Sequence, residues 1–116
     1  MRNTIVIYFL IVQFLFAISP ASEYLLFSCE KGHLNNVKKI LQTGTPSLHA
    51  RDYFKKTPLI LASENGHLEI VMALLIKGAA ATIDYRDREG KSALDYSKAK
   101  GYTKIEKVLL EYGAKE

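Results

Sequence analysis

The feature that most constrains this chain is an internal repeat with a period of 34 to 35 residues. Gly32-His33-Leu34 recurs as Gly66-His67-Leu68, a shift of 34, and Gly66 recurs as Gly101, a shift of 35. A second series of glycines has the same two shifts: Gly44, Gly78 and Gly113. A period shared by unrelated positions is typical of a solenoid, in which each unit buries its apolar face against its neighbours.

The middle unit predicts two helices joined by a turn. Thr57 is a suitable N-cap, because its hydroxyl can accept from an early helical N–H, and Pro58 fits the first helical position. Gly66 can take the left-handed conformation that ends the first helix, and Gly78 can end the second. In the second helix one face is apolar at helical spacing: Leu68, Val71, Leu74 and Leu75.

The two outer units predict the same arrangement. The first has candidate helices at 23–31 and 34–42, and the third has them at 93–100 and 103–112. About three units are the practical minimum for a stable stack of this kind. Polar residues are expected at the ends, where no neighbour covers the surface, and Glu106 stands where the middle unit has Val71.

The middle unit, KTPLILASENGHLEIVMALLIKGA, resembles an ankyrin repeat over its whole length, and KSALDYSKAKGYTKIEKVLLEYGA resembles a terminal one. The first unit resembles a degenerate opening repeat, because Glu23 and Tyr24 replace the threonine-proline start. The resemblance implies an all-α ankyrin-repeat solenoid of helix-turn-helix units with finger loops, with repeats at about 22–54, 55–89 and 90–116. The finger-turn glycine is Lys55 in the first connection and is kept as Gly90 in the second.

The resemblance further implies a non-catalytic module that binds a partner protein through its finger tips and the concave face of its first helices. The candidate contacts on the fingers are Asp52, Tyr53, Phe54 and Lys55, then Arg86, Asp87, Arg88 and Glu89. The helical floor is expected to add Ser63, Glu64, Tyr96 and Lys98. Tyr53 and Phe54 are the candidate interface anchors of most interest, because exposed aromatic residues beside Arg or Lys suit that role. The competing interpretation, that one of the two rings packs beneath the finger to cover the missing glycine turn, is slightly favoured, because one of two adjacent aromatic residues is usually in the core.

The N-terminal segment 1–21 has the three-part layout of a secretory signal. Arg2 precedes the segment 4–18, fifteen residues whose apolar run is broken only by Gln13, and Ser19-Pro20-Ala21 follows. We expect cleavage after Ala21, a folded domain at 22–116 and a secreted or periplasmic location, with only transient membrane contact. An uncleaved membrane anchor is the main alternative and a buried helix the other, although the run is shorter than a membrane span needs.

Catalytic, cofactor and metal sites are not predicted. The glycines are isolated rather than forming a phosphate loop, and no carboxylates are spaced for acid–base catalysis. His33 and His67 occupy equivalent turns about 10 Å apart by helix-packing distances, too far to share one metal with ligand bonds near 2 Å. We expect both to hydrogen-bond the backbone, and Cys29 to be a buried thiol.

Charge does not indicate a nucleic-acid partner. The net charge of +4 falls to +3 without Arg2, and acidic residues interleave with the basic ones in both finger loops. Mixed charge of this kind is typical of a solvated surface. We therefore predict a protein partner, with neither a nucleic acid nor a small-molecule substrate.

Overall fold

The computed structural model describes residues 4–8, 19–43 and 46–116, and the regular structure in these ranges is entirely helical. The three predicted helix–turn–helix units are present. Their helices are α1 (Pro20–Lys31), α2 (Leu34–Thr43), α3 (Pro58–Glu64), α4 (Leu68–Ile76), α5 (Ala93–Lys100) and α6 (Thr103–Glu111), with a 3₁₀ turn at Ala79–Thr82. The predicted all-α solenoid is confirmed.

The helices form two layers. In one layer α3 packs between α1 and α5, and in the other α4 packs between α2 and α6. The core between and within the layers is a single apolar cluster whose fully buried members include Leu25, Val37, Leu59, Ile70, Val71, Leu74, Leu94 and Leu109. The finger loops connect the units at one edge of the first layer, beside the N-terminal ends of α3 and α5.

The N-terminal ends of α3 and α5 are fixed by side-chain caps. Thr57 Oγ1 accepts a hydrogen bond from the Ile60 amide at 3.1 Å, and Pro58 is the first helical residue, as predicted. At α5, Ser92 Oγ accepts from the Asp95 amide at 3.2 Å while the Asp95 carboxylate accepts from the Ser92 amide at 3.0 Å. These caps satisfy amides that the helix itself cannot bond.

Helix α1 begins one turn earlier than the sequence predicted. Its N-cap is Ser19, whose Oγ accepts from the Ser22 amide at 3.2 Å, and Pro20 is its first residue. Ser22 is buried, and its Oγ accepts from the Ser47 amide at 2.9 Å in the first finger. The start predicted at Glu23 was therefore late, and the predicted cleavage point lies inside the first turn of α1.

The turns between paired helices are held by rings stacked on glycines. A Cβ on Gly32, which has φ +80°, would lie 2.6 Å from Cε1 of the His67 ring. His67 Nε2 is 3.1 Å from the carbonyl oxygen of Glu30, so the expected backbone hydrogen bond of this histidine is confirmed. Tyr102 covers Gly66 in the same way one repeat later.

Burial declines towards the ends of the stack. Leu75 of the middle unit is buried, whereas its counterpart Leu110 is 38% exposed. Ile40 and Leu41 of the first unit are only partly buried. A terminal unit has one neighbour instead of two, so its outer side chains lack a covering layer.

The described N-terminal residues 4–8 are helical, and their apolar side chains are each more than half exposed. The rest of the predicted signal up to residue 18, together with residues 1–3, lies outside the described residues. Within the described ranges, no helix combines the length and apolarity needed to cross a membrane.

Candidate functional site

The first finger, residues 46–56, ends in a tight turn built around Asp52. Asp52 Oδ1 accepts hydrogen bonds from the backbone amides of Phe54 at 2.9 Å and Lys56 at 2.8 Å. Lys55 closes the turn in the left-handed conformation, at φ +61°. Asp52 is therefore chiefly a structural residue of the finger, with one carboxylate oxygen committed to the loop.

The second finger, residues 83–91, repeats this turn around Asp87. Asp87 Oδ1 accepts from the amides of Glu89 at 2.9 Å and Lys91 at 3.0 Å, and Gly90 occupies the left-handed position at φ +77°. Asp87 is buried. Its inclusion among the predicted partner contacts was wrong, because the carboxylate points into the loop it holds.

Arg88 links the two fingers through hydrogen bonds. Its amide donates to the Phe54 carbonyl oxygen at 2.9 Å, and its Nε donates to the Tyr53 carbonyl oxygen at 2.6 Å. The guanidinium carbon also lies 5.2 Å from the centre of the Tyr53 ring. Arg88 thus positions the tip of the first finger in addition to being exposed itself.

The aromatic pair at that tip faces solvent. Tyr53 is 79% exposed and Phe54 is 57% exposed, and the two rings meet edge to face with centroids 5.3 Å apart. The slightly favoured interpretation, that one of the two rings packs beneath the finger, is therefore wrong. The missing finger-turn glycine is accommodated instead by Lys55, which adopts the strained conformation while its side chain remains in solvent.

The remaining predicted contacts are also at the surface. Lys55 is exposed, and three others are exposed within surface ion pairs: Arg86 with Asp95 at 3.0 Å, Glu89 with Lys91 at 3.3 Å, and Lys98 with Glu116 at 3.1 Å. Exposed pairs of this kind contribute little to stability, so a partner can exchange them at small cost.

A polar network lies between α3, α5 and the second finger. The Lys56 ammonium lies 2.9 and 2.8 Å from the two Glu64 carboxylate oxygens and 5.2 Å from the centre of the Tyr96 ring. The Tyr96 hydroxyl donates to Asp87. Burial lowers the pKa of Lys56, but the hydrogen bond and charge of Glu64 raise it by more, so that Lys56 is held as a cation.

Two residues predicted for the helical floor are not accessible. Ser63 is fully buried, and Tyr96 is buried with its hydroxyl bonded to Asp87. Burial, together with the Asp87 carboxylate, raises the pKa of Tyr96. Glu64 is paired with Lys56. Among these predicted floor residues only Lys98 is exposed.

A cleft that the sequence did not reveal lies between α1, α3 and the first finger. We call it the first-repeat cleft; its volume is about 310 Å³ and its lining is Glu23, Leu26, Phe27, Glu30, Asp52, Tyr53 and Leu61. Glu23, Phe27 and Glu30 follow one another at steps of four and three residues, the spacing of one helix face. That spacing was readable in the sequence, but the sequence does not show which face of α1 meets the finger.

The remaining histidines contact aromatic side chains, and the cysteine is buried. His33 is exposed with its ring edge-on to Phe27, and His49 Nδ1 is 3.2 Å from the Tyr85 hydroxyl. Cys29 is buried, as predicted, and burial raises the pKa of its thiol to about 12. Among the described residues, no three His, Cys, Asp or Glu side chains converge as metal ligands.

Comparison with known proteins agrees with this geometry. A family model for ankyrin repeats in three copies matches residues 25–116. The chain is 37% identical over 91 residues to human transient receptor potential cation channel subfamily A member 1, and 40% identical over 58 residues to bovine ankyrin repeat domain-containing protein 49. It is 30% identical over 92 residues to the Arabidopsis thaliana serine/threonine-protein kinase VIK.

The matched stretches cover 77%, 50% and 79% of this chain but only 8%, 24% and 20% of those three relatives. The similarity is therefore to the repeat segments of larger proteins. The channel and kinase activities in two of the names describe those whole proteins and do not follow from the shared stretch.

Proposed function

Since this chain belongs to the ankyrin-repeat family, whose repeats generally mediate protein–protein interaction, we propose that it is an exported, non-catalytic module that binds a protein partner through its finger tips. A repeat scaffold presents a rigid surface and needs no reactive groups for this role. The contacts proposed are Asp52, Tyr53, Phe54, Lys55, Arg86, Arg88 and Glu89, with Asp52 acting through the shape of the finger.

The observation that carries the proposal is the exposed aromatic pair of Tyr53 and Phe54 on a finger that is already rigid. Aromatic residues beside arginine are enriched in the centres of protein interfaces. The hydrogen bonds from Arg88 and from the Asp52 turn fix the backbone beneath both rings. Little conformational entropy is then lost on binding, which favours affinity.

The test is site-specific photo-crosslinking of the full chain in its own cells. A benzoylphenylalanine at Glu89 on the second finger should capture a partner, and Tyr53→Ala/Phe54→Ala should abolish the adduct. The matched control is Met72→Ala/Ile76→Ala, which removes two exposed apolar side chains from α4. Equal adduct yield from the finger variant and the control would remove this surface from consideration.

Export is proposed from the apolar segment 1–21, with cleavage after Ala21 and a secreted or periplasmic protein as the leading version. A membrane-anchored module with an uncleaved N-terminal helix is the second candidate, and one observation favours it. Cleavage after Ala21 would delete the Ser19 cap, worth about 1 kcal/mol, and place a charged amino terminus on the buried Ser22. Burying an unpaired charge is costly.

The intact mass of the protein recovered from its own cell separates the two versions. A mass that begins at Ser22, in the exported fraction, supports cleavage. A full-length mass in the membrane fraction supports the anchor. A full-length mass in the soluble cytoplasmic fraction would contradict both.

A further inference from the structure

The first-repeat cleft and the Lys56–Glu64 ion pair lie at equivalent positions of successive repeats. Between α3 and α5, the cation that faces Glu64 is supplied by the chain itself, eight residues earlier, as Lys56. The ammonium contacts both carboxylate oxygens and lies beside the rings of Tyr96, at 5.2 Å, and Phe54, at 5.8 Å. In the second repeat, a lysine side chain is thus held by a carboxylate and two neighbouring aromatic rings of the same chain.

The first-repeat cleft has the carboxylate but not the lysine. Glu30 lies 34 residues before Glu64 and is its repeat counterpart, while the counterpart of Lys56 is Ser22. Ser22 is small and buried, and its hydroxyl is committed to the first finger. The position that a cation fills in the second repeat therefore has no basic side chain in the first.

The lining of the first-repeat cleft suits a side chain with a charged, cationic end and an apolar methylene stem. Glu23, Glu30 and Asp52 line it, and none of the three forms an ion pair within the described part of the chain. The buried side chains of Leu26 and Leu61 form its floor. Lysine and arginine pack their methylenes on apolar surface while the charged head meets acidic groups.

Two aromatic rings complete the lining. Phe27 is 48% exposed on α1 and Tyr53 is exposed on the finger. An aromatic face attracts a cation that has left bulk water, as the Tyr96 ring does for Lys56 one repeat later. A free metal ion is a poorer match, because no metal-binding group of side chains converges among the described residues.

We propose that the first-repeat cleft binds a lysine or arginine side chain presented by the protein partner. This rests on the proposed function and adds the chemistry of the partner to it. The basic group takes the place that Lys56 occupies in the second repeat, between the Glu30 carboxylate and the exposed rings. Glu23 and Glu30 are the specificity-determining residues, since they supply exposed charge without holding the fold.

The experiment is an NMR titration of the isotope-labelled full chain, held in a neutral detergent, with capped pentapeptides. Gly-Gly-Lys-Gly-Gly and Gly-Gly-Arg-Gly-Gly are compared with Gly-Gly-Gln-Gly-Gly. Saturable amide shifts confined to residues 23–30 and 52–54 are expected with the basic peptides only. No saturable shift up to about 10 mM peptide would overturn the proposal, and so would equal shifts with the glutamine peptide.

The variant Glu23→Gln/Glu30→Gln should weaken binding of the basic peptides at least about tenfold. Its matched control is Glu69→Gln/Glu111→Gln, which makes the same change of net charge at exposed sites on α4 and α6. An equal loss of peptide affinity in both variants would mean only non-specific charge attraction and would contradict the proposal. Unchanged circular dichroism shows that neither variant has lost the fold.

Two further outcomes distinguish a failure of the basic-residue proposal from a failure of the proposed function. If crosslinking at Glu89 captures a finger-dependent partner whose yield is unchanged in Glu23→Gln/Glu30→Gln, the proposed function stands and the basic-residue proposal fails. If the peptides bind but no finger-dependent adduct forms, the proposed partner surface fails. Spermidine that binds more tightly than either peptide would assign the cleft to a free polyamine instead.

Discussion

Replacing Gly32 by alanine tests whether stacked rings hold the repeats together. The left-handed Gly32 carries the ring of His67, and a Cβ there would lie 2.6, 2.9 and 3.0 Å from three ring atoms. The two shortest distances are below those of real Cβ contacts, so the ring must move. Since its Nε2 bonds the Glu30 carbonyl oxygen at 3.1 Å, that hydrogen bond is lost with the movement.

Gly101 provides the matched control, because it has φ +74° but a Cβ added to it would meet nothing within 4 Å. Alanine in the left-handed region costs about 1–2 kcal/mol, and about 0.4–1 kcal/mol is offset by the stiffer unfolded chain. Gly101→Ala should therefore cost about 1 kcal/mol. Gly32→Ala adds about 1–3 kcal/mol for overpacking and about 1 kcal/mol for the lost hydrogen bond.

Urea unfolding of the full chain, followed by circular dichroism, measures the difference directly. The midpoint of Gly32→Ala should fall well below that of Gly101→Ala with a similar slope. In a His67→Ala background the cost of Gly32→Ala should drop to the Gly101→Ala value, because the ring is gone. Equal costs for Gly32→Ala and Gly101→Ala in the wild-type background would refute the stacking argument.

Three other predictions concern the finger turns and the core. Lys55→Gly should stabilise the chain by about 0.5–1 kcal/mol by relieving a left-handed lysine, and Gly90→Lys should destabilise it by a similar amount in the same urea assay. Burial raises the pKa of Asp87, but the hydroxyl of Tyr96 and two amides lower it by more. The ionised Asp87 carboxylate therefore contributes to stability above about pH 4, and this contribution is lost as the pH falls through the lower folded pKa. The difference in unfolding free energy between the wild type and Asp87→Asn should shrink between neutral and strongly acidic pH. A difference that does not change with pH would exclude the carboxylate charge as the source of the stabilisation. Because burial raises the pKa of Cys29 to about 12, the thiol should resist an aromatic disulfide reagent until urea unfolds the chain, and rapid labelling of the folded protein would contradict its placement.

The helices were predictable because the residues that start and end them act locally in the sequence. Thr57-Pro58 starts α3 and Ser92 starts α5 at the residues expected, and left-handed glycines lie at their ends. The start of α1 was missed for a physical reason. Ser19-Pro20 is an equally good cap and first residue, but it follows an apolar run, so the same two residues also fit the end of a secretory signal.

The site was less predictable, because exposure and pairing depend on neighbours distant in the chain. Sequence placed Tyr53 and Phe54 at a finger tip but could not decide whether a ring turned inward. Arg88, 35 residues later on the second finger, bonds the Tyr53 carbonyl oxygen, and its guanidinium carbon lies 5.2 Å from the centre of the exposed Tyr53 ring. Likewise, Asp87 and Arg88 are adjacent in sequence, yet one is buried in the turn and the other is exposed.

The first repeat contains the first-repeat cleft and, like the third repeat, is covered by a neighbouring unit on one side only. Its outer side chains Ile40 and Leu41 are only partly buried, and its first helix depends on the Ser19 cap. A terminal unit of a solenoid is held by one interface alone, so its local unfolding requires less free energy than that of the middle unit. A ligand that binds only the folded form at 100 times its Kd adds about 2.7 kcal/mol, more than the cap contributes. Occupation of the first-repeat cleft and folding of α1 are therefore linked, and a partner that fills the cleft stabilises the very helix that presents it.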